Sequence, residues 1–145
     1  MSDKLFINGA NVIIKETQDQ IYGMTCAWTS QVDYYKAIML IGSQSETGKQ
    51  LKIGDVVSIS GLASTQKEIA IQIGTNHSSM GKFKDIDFDI FNNVKVIKGA
   101  KTYLKCKIID IMHLKGIEED NLVYLDVVNF EDHPDKEFLS YKDID

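Results

Sequence analysis

Seven short β-rich runs, each bounded by turn residues, constrain the fold of this chain more than any other feature: Asn11–Glu16, Ile21–Val32, Lys36–Gly42, Asp55–Gly61, Asn93–Gly99, Tyr103–Leu114 and Asn121–Phe130. Strands this short bury a face only by pairing side by side. "TQDQ", "VDYY" and "KGIEED" read as loops, and the last joins its two neighbours in the manner of an antiparallel hairpin. From Leu104, Cys106 and Ile108 onward the even positions alternate with Lys105 and Lys107, giving one buried face. Ser45 or Thr47 caps a helix running to about Leu51 and stopped by Gly54. Ser64 or Thr65 caps a second that ends at Gly74. The pattern predicts a mainly β fold with short helices, a closed or nearly closed antiparallel barrel.

A length of 145 residues with 43% hydrophobic content suits one domain over residues 1–145. A net charge of −5, with lysines scattered along the chain, argues against a nucleic-acid surface. One anionic cofactor remains compatible with it, because a helix N-terminus and a few hydroxyls hold a phosphate without net positive charge. The start "MSDKLFINGANV" has no leader pattern and no apolar run is long enough to cross a bilayer, so the expectation is a cytoplasmic protein without membrane contact. Cys26 and Cys106 lie in predicted strands and read as reduced thiols. His77, His113 and His133 stand at no recognised metal spacing, and no metal is expected.

Two segments carry chemistry. Within "IYGMTCAWTSQV", Thr25, Cys26, Ala27, Thr29 and Ser30 are small or hydroxyl-bearing where a packing strand would carry Val, Ile or Leu. Such a strand brings its backbone close to a flat ligand; the alternative is a half-exposed barrel strand whose hydroxyls face water. Trp28 suits a core or an interface as well as a stacking role, and Cys26 suits an inert buried thiol as well as one beside a ligand. In "GSQSETGK", Ser43, Gln44, Ser45 and Thr47 follow a strand and open a helix, the make-up of a phosphate cradle or of an ordinary helix cap.

"GMTCAW", then "KAIMLIG", then "SQSETGKQLKIGDVVSIS", followed by "GKFKDIDFD" and "YLKCKIIDI", resembles in order and spacing the flavin reductase-like, FMN-binding split-barrel family over nearly the whole chain. The resemblance implies an FMN-binding split β-barrel, with Thr25, Cys26, Ala27 and Trp28 along the isoalloxazine and Ser43, Gln44, Ser45 and Thr47 at the phosphate. It further implies a homodimer whose interface completes the site, and an NAD(P)H-dependent flavin oxidoreductase; a non-catalytic FMN carrier or flavin-storage protein is the alternative. His77 falls beside Ser78 and Ser79 in a loop, where it reads as a solvated histidine sooner than as one on the side from which the family approaches the cofactor. Two departures stand out. Many members have an arginine in the phosphate turn, where this chain has Gln44 and Glu46, leaving Lys49, Lys52 or Lys82 to supply charge. NAD(P)H-using members commonly carry "GDH" before the last long strand; here Asp120 matches the aspartate, and Asn121 stands at the histidine and cannot change charge near neutral pH.

Overall fold

A strand buried on both faces organises the molecule. In β1 (Asn11–Glu16), Ile13 points into the same interior as Met39, Ile41, Ile59, Cys106, Ile108 and Leu125. Val12 and Ile14 point the other way, toward Ala70 and Ile73 of a covering helix. Three consecutive apolar residues are therefore needed where an ordinary half-exposed strand would alternate. The computed structural model describes residues 5–75 and 79–144.

The other strands of the main sheet are β2 (Ile21–Cys26), β3 (Thr29–Asp33), β4 (Lys36–Gly42), β5 (Val56–Gly61), β8 (Thr102–Met112) and β9 (Asp120–Asp132). They pair antiparallel in the order β2-β1-β5-β8-β9-β4-β3. The sheet curls into a half-barrel, and its two edge strands, β2 and β3, are consecutive in the chain. The run Ile21–Val32, expected as one strand, is thus two: Ile21–Cys26 pairs with β1, and Thr29 onward pairs with β4. Ala27 and Trp28 lie between the two ladders and belong to neither. The Leu40 N–H of β4 donates to the Trp28 carbonyl at 2.8 Å, carrying the contact with β4 one residue back from Thr29 into this break.

A separate hairpin, β6 (Phe88–Phe91) and β7 (Val94–Ile97), turns through Asn92 and Asn93 at φ +48° and +71°. Only the second of these strands is predicted from composition; the Asn-Asn pair, which tolerates left-handed backbone, is the signal for the first. The helix α1 (Glu46–Gln50) is capped by Ser45, whose Oγ accepts from the Gly48 N–H at 2.8 Å. The second, α2 (Lys67–Thr75), starts one or two residues later than a cap at Thr65 or Ser64 would place it and ends one residue past Gly74. Gln66 occupies its entry, accepting from the Ala63 N–H through its side chain and from the Ala70 N–H through its carbonyl. A single turn, α3 (Ser79–Lys82), follows. In β8 the even-position alternation holds to Ile108, where a register shift before Asp110 moves Ile111 onto the core.

Candidate functional site

The break between β2 and β3 forms the floor of a cleft of about 420 Å³, lined by Asn8, Met24, Thr25, Cys26, Ala27, Trp28, Leu40, Gly42, Asp120 and Tyr141. All four residues expected along a flat ring are in it. Ala27 and Trp28 stand outside both ladders, and at this break the Trp28 carbonyl is taken by the Leu40 N–H of β4. Thr25 is fixed by its hydroxyl, which donates to the Ala70 carbonyl of α2 at 2.9 Å. Cys26 is 4% exposed and its Sγ–H faces the Leu40 carbonyl at 3.3 Å. Burial pushes its thiol above the ordinary range, only partly offset by the Thr29 hydroxyl and the Trp28 amide. A protonated thiol is a poor nucleophile, so its part here is shape. Cys106 lies deeper in the barrel, and burial pushes it up to about 12. Trp28 fills no core: it is 56% exposed, at the rim.

Beyond Gly42 the turn divides the four residues expected at a phosphate. Gln44 and Ser45 line a second cavity, of about 370 Å³, with Glu46, Lys49, Gln50 and Lys82. Ser43 instead donates to the Glu119 carbonyl and ties the turn to the β8–β9 connection. Thr47 is 1% exposed and donates to the Gly23 carbonyl at 2.9 Å, so it secures α1 to β2. Ser45 donates to the Gly42 carbonyl at 2.8 Å while it caps α1. The turn folds this tightly only with glycine at 48, where a Cβ would sit 2.2 Å from the Gly42 carbonyl oxygen. The two cavities flank the same turn, and the Ser45 hydroxyl lies 3.9 Å from the Met24 sulfur that lines the first.

Asn121 is 8% exposed and pairs with Ile41. It shares the inward face of β9 with Val123 and Leu125, while Asp120 before it lines the cleft. The cleft contains no histidine among the described residues. His113 meets the Glu118 carbonyl in the β8–β9 turn, and His77 lies outside the described residues. Asp120, which the resemblance matches to the family's aspartate, is set on the cleft by the pairing of β9 with Gly42 of β4, whereas Asn8 and Tyr141 have no signal in the local sequence pattern. Asn8 and Tyr141 reach the cleft because Gly9 bridges Ser140 and the Tyr141 N–H donates to the Asn8 carbonyl.

A half-barrel sheet whose edges meet at a small-residue cleft beside a capped turn is the architecture of flavin reductase-like proteins. Residues 4–144 match the sequence model of the family described as "Flavin reductase like domain", and the chain belongs to that family. Solved structures of similar fold include the NADH:FAD oxidoreductase of Streptomyces globisporus, at 18% identity and TM-score 0.81, covering 92% of this chain and 80% of that one. The styrene monooxygenase flavin reductase of Pseudomonas putida S12 is 18% identical with TM-score 0.73, covering 88% of this chain and 82% of the other. An FMN-binding protein from Thermus thermophilus is 14% identical with TM-score 0.76, with 88% and 72% covered. Comparison with curated proteins finds no match. Among the described residues no helix is long and apolar enough to cross a membrane.

Proposed function

We propose that this chain, as one domain, binds FMN and acts as an NAD(P)H-dependent flavin oxidoreductase. The observation that carries the reading is the end of β2 and the break that follows it, where the small Thr25, Cys26 and Ala27 and the rim residue Trp28 line one wall of a cleft sized for a flat ring. The donor set fits a flavin: main-chain groups and small side chains at the ring, with Gln44, Ser45 and lysines around the turn for a phosphate. When bound, the flavin supplies the hydride and electron chemistry. The chain's own residues then have positioning tasks. Thr25 is braced by α2, Cys26 stays neutral, and Asp120 places a carboxylate on the cleft.

The proposal includes a homodimer. A groove of about 830 Å³ runs from Ile7 past Thr29 and Tyr34 to Phe130 and Phe138, and the aromatic side chains along it are exposed. An apolar, aromatic face of this kind suits a second copy of the chain.

A second reading, a carrier of FMN reduced by another protein, is favoured by one observation: the position resembling the family's nicotinamide-side histidine is an inward-facing asparagine. Anaerobic stopped-flow mixing of the FMN-loaded protein with NADH or NADPH separates the two. The oxidoreductase reading predicts bleaching of the flavin at roughly 10 per second, an ordinary turnover rate. Flavin that stays oxidised for minutes with either nucleotide supports the carrier and contradicts the oxidoreductase.

A further inference from the structure

We propose that Lys82 is the cation that recognises the flavin's 5′-phosphate and so sets a preference for FMN over riboflavin. This rests on the flavin-binding reading above. The sixteen basic side chains of the chain are all lysine, so no arginine fork is available for a phosphate. The hydroxyls of the turn are engaged within the protein: Ser43 with Glu119, Ser45 with Gly42 and Gly48, and Thr47 with Gly23. Lys49 is exposed and neighbours Glu46 on the same short helix.

Lys82 differs from every other lysine at this end of the molecule. It is 8% exposed, it lines the cavity beside Gln44 and Ser45, and its ammonium donates to the Gly23 carbonyl at 2.7 Å. Among the described residues it has no carboxylate within ion-pair distance, whereas Lys15, Lys36, Lys95 and Lys101 each have one. An ammonium carries three donors, and one carbonyl leaves the others directed to their surroundings. A buried charge without a counter-ion is costly, and the group that relieves the cost is an anion entering the cavity. Burial lowers the proton affinity of this ammonium and Glu46 only partly restores it, the expected mark of a cation without a close partner.

The test uses the full chain and titrations with FMN and riboflavin, which differ only in the phosphate. The wild-type protein is expected to prefer FMN. Lys82→Met should weaken FMN by about 10- to 100-fold, the worth of a hydrogen bond to a charged group, and leave riboflavin unchanged. Its melting temperature without flavin should hold or rise, because the substitution removes an unpaired buried charge. Lys82→Arg, which keeps the charge, should retain the preference. If Lys82→Met proves unstable, the wild-type pH profile decides. Above about pH 7.5 the phosphate is a constant dianion, so FMN affinity should fall as the ammonium loses its proton while riboflavin affinity stays level. Equal weakening of both flavins by Lys82→Met, or parallel pH profiles, would overturn the assignment. Wild-type protein that binds both flavins equally also overturns it while leaving the flavin site standing. Wild-type protein that binds neither flavin overturns the underlying reading as well.

Discussion

The Gly23 carbonyl collects two side-chain donors, Thr47 Oγ1 at 2.9 Å and Lys82 Nζ at 2.7 Å, and so joins β2 to α1 and to α3. Glycine is required there: a Cβ would lie 2.5 Å from the Phe83 ring and 2.8 Å from the Ile13 carbonyl oxygen. This knot changes what Thr47 is for. Read locally, a hydroxyl in the first turn of a helix after a strand points to a phosphate; in the fold it is buried and already donated. Thr47→Ala is therefore expected to cost about 0.5–1.5 kcal/mol of stability, the net worth of a buried hydrogen bond. It should also weaken FMN and riboflavin to the same extent. Urea unfolding and paired flavin titrations check this, and a loss confined to FMN would return Thr47 to the phosphate.

Elements were more legible than their joints. β1 and β4 occupy the residues expected from alternation and turn chemistry, and Ser45 caps α1 as its position before a polar first turn suggests. The break at Ala27–Trp28 was not legible, because it comes from the curl of the whole sheet bringing β1 and β4 to the two halves of one apolar-polar run. The shift in β8 was hidden for the same reason: it depends on pairing with β9. Another joint is the clasp at the end of β9. The His133 ring faces the Ala100 carbonyl at 2.6 Å and the Glu131 carboxylate at 2.7 Å, its edge meets Tyr103, and Lys101 pairs with Asp132 beside it. Two acceptors, one at each ring nitrogen, are both satisfied only by the imidazolium. Burial works against that charge and Lys136 adds to the opposition, yet the Ala100 carbonyl and Glu131 hold the ring above its ordinary 6.5. A raised value means that the clasp contributes fully below about pH 6.5 and fades as pH rises through the folded-state value. The stability advantage of wild type over His133→Gln is thus expected at pH 6 and should shrink toward pH 9. A gap constant across that range, measured by urea midpoints, would contradict a charged His133.

At the scale of the whole molecule, one sheet does three things. Its interior is sealed by the apolar residues of β1, β4, β5, β8 and β9; its outer face carries α2 and the β6–β7 hairpin; and its suture presents the cleft. The exposed aromatic groove lies beside that suture and shares Asn8 with the cleft, so a second copy seated there would stand next to the proposed ring site. With a net charge of −5, the proposed anionic cofactor would have to be held by local lysines rather than by the overall field. Trp28 offers a direct reporter, since it is the chain's single tryptophan and stands at the rim of the cleft. Its emission should fall saturably on titration with FMN, along a binding curve that also predicts the thermal shift. Flavin at about a hundred times the dissociation constant adds about 2.7 kcal/mol of stability. Tryptophan emission that follows only the absorbance of added FMN, without a saturable component, would contradict a flavin site at Thr25–Trp28.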